Sequence, residues 1–403
     1  MKQVSADLER LVEHIDPADM LARTERWSAI NSGTGNLAGL AAMAGELADA
    51  FAALPGEVSL EAPAPVAEIT PEGNEAERLH GKHLVLRVRP GAQRRLLLTG
   101  HMDTVYPADH PFQSVRWLDE QRLGGPGTAD MKGGIAVILA ALTAFEKSDG
   151  APQVGYDVLI NSDEETGSLS SAGLIERLAR GKIAALTYEP AMTPSGTFAH
   201  ARGGSGNYSL VVTGRSAHAG RNPKEGRNAI VAAAKLAVAL KALEHEELSV
   251  NPARIDGGSA NNVVPDHAVL RFNIRPGSQK AAKWFEGDLN LLIEKTSSEL
   301  EVDISAHGGI TRPPKPADPA SQKLFDIVRA CCTDLGQIYE TADTGGVCDG
   351  NNIAACGVPV VDTMGVRGGA IHSPQEFLVA ASLKERAALS TLVLHRLATG
   401  GEL

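Results

Sequence analysis

Two spacings of apolar residues divide this chain. Over residues 5–15 and again over 36–54, leucine, valine and alanine recur at intervals of three and four, which predicts two opening helices. The period then shortens. Runs at 58–60, 83–88 and 95–99 read as strands, and residues 133–145 read as an apolar helix. A strand at 156–161, a helix at 169–179 and a short buried strand at 183–188 follow. Strands that alternate with helices predict a largely parallel sheet covered by helices on both faces, an α/β fold.

Beyond Pro190 the pattern changes. Gly203-Gly204 precedes an alternation through 208–212, a long helix over 228–245, strand-like runs at 254–255 and 267–274, a helix over 279–300 and a strand at 301–305. Strand, helix, strand, strand, helix, strand is the order of a ferredoxin-like split βαβ sandwich. The proline-rich run Thr311-Arg312-Pro313-Pro314-Lys315-Pro316 closes it and reads as a hinge. Helix and strand alternate again from Ala320, with a strand at 359–362 and a final helix over 374–397. The expected organisation is one α/β domain, residues 1–198 and 313–403, interrupted by an α+β module, residues 199–312.

Several strands of the α/β part end in polar residues. The run Leu96-Leu97-Leu98-Thr99-Gly100 leads into His101 and Asp103. Two apart on extended backbone, these share a side, so the carboxylate could orient the imidazole or both could face one site. Asp130 sits just before Gly133-Gly134, where alone it would read as a helix cap. Asp163-Glu164-Glu165 would read as a solvated turn, yet like charges so crowded repel one another unless a cation is present. Glu189 closes another buried strand, and His372 follows Gly368-Gly369. Singly, each has an ordinary structural explanation. Together they place two histidines and several carboxylates at the C-terminal ends of α/β strands, where open sheets bind ligands. Imidazole with carboxylate oxygen suits zinc, and a shared carboxylate can bridge two ions about 3.5–4 Å apart.

Thr99-Gly100-His101-Met102-Asp103-Thr104-Val105, Asp130-Met131-Lys132-Gly133-Gly134, Asp163-Glu164-Glu165-Thr166-Gly167, Glu189-Pro190 and Ala370-Ile371-His372-Ser373 resemble the successive signatures of peptidase family M20. This is the dizinc group that includes glutamate carboxypeptidase, acetylornithine deacetylase, succinyl-diaminopimelate desuccinylase and aminoacylase. The resemblance implies one zinc on His101, Asp130 and Glu189 and another on Asp130, Glu165 and His372. It further implies that Asp103 orients His101, that Glu164 is the general base, and that the Asp130-Met131 peptide is cis. In the inserted module, His218 within Arg215-Ser216-Ala217-His218-Ala219-Gly220 and Asn262 within Asn261-Asn262-Val263-Val264-Pro265 resemble the family's lid histidine and lid asparagine. Arg275 resembles the arginine that grips a substrate carboxylate, with Arg312 a second such contact. The family's lid also dimerises, which would carry His218 and Asn262 to the neighbouring subunit's site. Cys348, before Asp349-Gly350, stands where relatives often have serine or threonine. It is not read as a zinc ligand, a thiolate near zinc being the competing reading.

The activity so implied is hydrolysis of an amide or peptide bond beside a free carboxylate, by a water held between two divalent ions. Zinc is expected, with cobalt or manganese as substitutes, and Glu164 takes the proton. The leading reading is a glutamate-carboxypeptidase-like enzyme; an N-acyl-amino-acid deacylase is the alternative. A non-catalytic metal-binding dimer is a third reading, against which Glu164 argues, since a scaffold needs ligands but no base. The 49 acidic and 38 basic residues give a net charge of −11, which disfavours nucleic acid and anionic membrane as partners. An anionic substrate therefore needs locally placed arginines. All four cysteines lie in the last quarter of the chain, and adjacent Cys331-Cys332 is poorly placed to bridge, so reduced thiols are expected. Charges break up the first ten residues where a signal peptide would be apolar, and no run approaches a membrane span. A cytoplasmic protein is the resulting expectation, with a small peptide or N-acyl amino acid and a second copy of the chain as partners.

Overall fold

The computed structural model describes residues 9–400, so the helix expected over 5–15 begins outside the described residues; within them it is helical over 9–12. The next helix, α1 (Pro17–Ser28), escapes the apolar pattern because its inward stripe is Met20, Thr24, Trp27 and Ser28. Its start is nevertheless well specified. Asp16 Oδ1 accepts the backbone N–H groups of Ala18 and Asp19, and Pro17 occupies the first turn, where no donor is needed. Helix α2 (Leu37–Phe51) is capped in the same way by Asn36.

Ten strands build the two main sheets. In chain order they are β1 (Glu57–Glu61), β2 (His83–Val88), β3 (Arg95–His101), β4 (Gly155–Asn161), β5 (Ala184–Thr187), β6 (Ser205–Thr213), β7 (Leu248–Gly257), β8 (His267–Pro276), β9 (Asp303–Arg312) and β10 (Val360–Val361). The larger sheet has the order β1-β2-β4-β3-β5-β10. Its strands β4, β3, β5 and β10 are mutually parallel, whereas β2 runs antiparallel to both β1 and β4. The expected parallel sheet is thus a parallel core with an antiparallel edge.

Both faces are covered. Leu96 and Leu98 enter the core packed against α3 (Gly133–Phe145) and the C-terminal helix, while Leu97 enters a second core with Leu174, Ile175 and Ile353. Alternation between two dry faces is why β3 reads as an unbroken apolar run. The stretch Thr128–Phe145 is apolar enough to cross a membrane by composition, but 89% of it is buried inside the protein, which makes it the central core helix. Register then sets the site: His101 pairs with Asn161 and Thr99 with Thr187, so three strands end at one level.

The inserted module follows the expected order, β6-α-β7-β8-α-β9, with helices at Ala229–Lys241 and Gln279–Leu300. Its antiparallel sheet, β7-β8-β6-β9, buries one face under those helices around Tyr208, Leu210, Leu236, Phe272 and Phe285. The proline-rich segment is pinned rather than free: Lys315 and Arg202 exchange backbone hydrogen bonds of 3.0 and 2.9 Å, which fastens the returning chain to the outgoing one. A hairpin of the α/β domain, Val66–Ile69 with Glu75–Arg78, makes a further contact with the module. Arg271 Nη2 donates to Ile69 O at 2.7 Å, and His267 Nε2 lies 3.1 Å from Pro71 O. The final helix, Ala381–Thr399, starts later than expected because residues 377–379 form a short strand against residues 122–124.

Candidate active site

The ends of β3, β4 and β5 and three loops bring seven of the expected residues to one place. His101 closes β3, and its Nε2 is 3.0 Å from Asp130 Oδ1 and 3.8 Å from Glu189 Oε2. The other ring nitrogen, Nδ1, is 3.0 Å from the Asp103 carbonyl and 3.4 Å from its carboxylate. Asp130 uses both oxygens: Oδ2 is 3.3 Å from His372 Nε2, which is itself 3.2 Å from Glu165 Oε2. Donor atoms of His101, Asp130 and Glu165 lie within 4.8 Å of one another, and so do those of His101, Glu164 and Glu189.

Local sequence explains how these side chains get there. Gly100 lies under Met131, where a Cβ would come within 2.6 Å of its methyl group, and a Cβ on Gly134 would come within 2.2 Å of the Tyr188 carbonyl. The turn carrying Asp130 can therefore close onto the strand ends that carry His101 and Glu189. The Asp130-Met131 peptide is cis. His372 and Ala370 both have left-handed backbones, φ 59° and 52°, a conformation that costs a non-glycine residue roughly 1–2 kcal/mol and here turns the imidazole over Asp130.

Of the three consecutive acids only two face the cluster. Asp163 turns inward, where Ser170 N, Ser170 Oγ and Ser171 Oγ donate to its carboxylate at 2.6–2.9 Å. Asp103 is fully buried and accepts from Thr34 Oγ1, Glu164 N and Glu165 N, so it fixes the backbone of the two glutamates as well as the imidazole.

Crowding perturbs the carboxyl groups of Asp130, Glu164, Glu165 and Glu189. Burial raises Glu164 well above the ordinary range, with Arg312 opposing and Glu189 adding to the rise. Burial, reinforced by Asp130, pushes Glu165 up to about 7. Asp130 is held low despite burial by hydrogen bonds from the two imidazoles, and its bonds with Asp130 and Glu165 raise His372 to about 11. Two imidazoles and an Arg312 guanidinium shared with Asp349 cannot neutralise Asp103, Asp130, Glu164, Glu165 and Glu189 together. Divalent cations would, and two histidines sharing one two-faced carboxylate are a donor set that fits a metal pair.

A cavity of about 580 Å³ is lined by Asp130, Glu164, Glu165, Glu189 and His372 of this cluster and also by Arg275, Asn207 and Arg202. Arg275 donates Nε to Asn273 Oδ1 and has no carboxylate within ion-pair distance among the described residues. Arg312, expected as a second carboxylate contact, also lines this cavity. Its side chain is 2% exposed, with its terminal nitrogens already bonded to Glu164 and Asp349. His218 and Asn262 lie on two exposed, neighbouring segments of the module, joined by Ala219 N donating to Asn262 O at 2.9 Å, and neither lines this cavity. Cys348 is buried and caps the short helix Asp349–Ala355, accepting Gly350 N. Burial drives its thiol well above its usual value, which leaves it neutral.

Residues 97–396 match Peptidase family M20/M25/M40. The chain belongs to this family. Among curated relatives of this M20 chain, carboxypeptidase G2 of Pseudomonas sp. (strain RS-16) is 28% identical over 330 residues, covering 79% of this chain and 78% of its own length. Succinyl-diaminopimelate desuccinylase 1 of Alteromonas mediterranea is 30% identical, covering 77% and 83%. A Staphylococcus aureus tripeptidase shares the fold with a TM-score of 0.71 at 24% identity, covering 96% of this chain and all of that one. The protein is accordingly a hydrolytic enzyme of a metal-dependent metallopeptidase and amidohydrolase family.

One residue of the M20 site escaped the sequence reading. Glu376 Oε1 accepts the N–H groups of Ala129 and Asp130 at 3.0 and 3.1 Å, while Oε2 accepts Tyr106 OH at 2.9 Å. It thereby holds the turn that presents Asp130. The available signal was an acidic residue four positions after His372. Glu376→Gln is expected to weaken divalent-metal binding about 10–100-fold, as loss of a partner behind a ligand does. Competition with a chromophoric chelator reads this, and unchanged affinity would remove the role.

Proposed function

We propose that this M20 chain cleaves an amide or peptide bond next to a free carboxylate, as a glutamate-carboxypeptidase-like enzyme. The observation that carries this is Arg275, which has no acidic partner among the described residues and lines the same ligand-sized cavity as the carboxylate-histidine cluster. His101, Asp130 and Glu189 would hold one divalent ion and Asp130, Glu165 and His372 the other, with zinc the first choice. When bound, the ions supply a water of lowered pKa and polarise the scissile carbonyl.

The chain's own residues do the rest. Arg275 pairs with the substrate carboxylate and so sets which bond lies over the cluster. Glu164, kept at raised basicity by burial, removes a proton from the attacking water and returns it to the leaving nitrogen. His218 and Asn262, on their exposed segments, suit a contribution from a second copy of the chain to the oxyanion. An N-acyl-amino-acid deacylase remains the second reading, since relatives named desuccinylase match as extensively as the carboxypeptidase.

A hydrolysis screen of dipeptides, N-acyl amino acids and pteroyl-glutamate-like amides, each with zinc, cobalt and manganese, tests both readings. Failure to hydrolyse any of them with metal bound would overturn both. On the best substrate, Arg275→Ala should raise KM by about 10–100-fold with kcat little changed, the pattern of a lost charge-assisted contact. An unchanged KM would remove Arg275 from substrate binding.

A further inference from the structure

Arg312 is the last residue of β9 and so belongs to the inserted module, yet its guanidinium lies inside the α/β domain. Nη2 donates to Glu164 Oε1 at 2.7 Å, to the Glu164 carbonyl at 3.2 Å and to Ser168 Oγ at 2.9 Å. Nη1 donates to Asp349 Oδ1 at 2.7 Å and Asn352 Oδ1 at 2.8 Å. Asp349 is in turn fixed by Ser168 Oγ and by Asn161 Nδ2 at 2.8 Å, while Asn352 Nδ2 holds the Thr311 carbonyl just ahead of the arginine. A guanidinium already shared by two carboxylates in a dry setting has little left to offer a third.

We propose that Arg312 is a positioning residue for Glu164, through which the inserted module sets the aim of the base. The inference rests on Glu164 acting as proposed above. The glutamate is held at two places by two parts of the protein. Its backbone N–H is bonded by Asp103 of the α/β domain, and its Oε1 by the module's arginine. Among the described residues nothing donates to Oε2, which leaves one oxygen for the proton transfer while the other is clamped. A carboxylate free at both oxygens would sample rotamers that point away from the water; the fork removes that freedom. Because the clamp arrives on β9 and the backbone anchor does not, displacing the module withdraws the clamp alone. The base is then competent only when the module is seated.

The test compares wild type, Glu164→Gln, Arg312→Gln and Arg312→Lys on the best substrate of the screen, with zinc content and thermal midpoint measured for each. Arg312→Gln should lower kcat about 100-fold, within the span of a general base's contribution, with KM changed less than about threefold. Arg312→Lys, which keeps the charge but loses the fork, should recover about a tenth of the wild-type rate. A raised KM with unaltered kcat would make Arg312 a substrate contact and overturn the proposal, as would kcat within about threefold of wild type. Should Arg312→Gln fail to fold, Asn352→Ala loosens the guanidinium from its far side, and the same loss of kcat without KM is expected, about tenfold. An unchanged kcat there counts against the proposal. A fully active Glu164→Gln enzyme overturns the base reading underneath, whereas an inactive one beside a fully active Arg312→Gln overturns only the coupling.

Discussion

Glu164→Gln is expected to lower kcat by about 10²–10⁴-fold while metal content and thermal midpoint stay at wild-type values. The substitution keeps the shape of the side chain and an oxygen for Arg312 Nη2, which lies 2.7 Å from Glu164 Oε1. It removes only the group that can carry a proton. The neighbour offers a contrast, since Glu165 is 3.2 Å from His372 and belongs to the donor set. Glu165→Gln should therefore lose metal as well as rate. Steady-state kinetics with elemental analysis on the same preparations separates the two. A Glu164→Gln enzyme within tenfold of wild type would mean that another group accepts the proton.

The second large effect concerns stability. Asp362, just after β10, is fully buried; its Oδ2 accepts Arg202 Nε at 2.8 Å and lies 3.0 Å from Lys315 Nζ. Both cations are nearly inaccessible, and they sit on the two chain crossings between domain and module. Asp362→Asn leaves two buried positive charges without a counter-ion, which should cost about 3–5 kcal/mol in urea denaturation. Arg202 and Lys315 hold the Asp362 carboxyl below its usual value against the opposing effect of burial. A carboxyl group depressed in the folded state stabilises fully above its unfolded pKa of about 3.9, and the contribution disappears as the pH falls through the folded value. The gap between wild type and variant should thus be constant from pH 8 to 5 and narrow below about pH 4. A gap under about 1 kcal/mol at neutral pH would show that the trio contributes little.

Much of this was readable before any coordinates. β3 announces itself because its three leucines feed two cores, and the motif residues lie where each strand stops, so local pattern and site coincide. The module's order of strands and helices was legible for the same reason, each element having its own period. What stayed hidden depends on pairings between residues far apart in the chain. Nothing near Asp362 points to Arg202, 160 positions earlier, and nothing near Glu376 points to the N–H groups of Ala129 and Asp130. The pairing of Arg312 with Glu164 and Asp349, 148 and 37 positions away, was equally hidden. Asp163 misleads instead: three adjacent acids look like one charged turn, but serines seven and eight residues on draw the first of them inward.

The hairpin at residues 66–78 gives the module a footing away from its two covalent crossings. A body tied only at a pair of neighbouring strands can pivot about them like a door. One that also rests on a distant strut cannot do so without first letting go of it, here by breaking the bonds from Arg271 to Ile69 and between His267 and Pro71. At roughly 0.5–1.5 kcal/mol each, these contacts would oppose any such swing without forbidding it. Shortening the strut would lift that restraint.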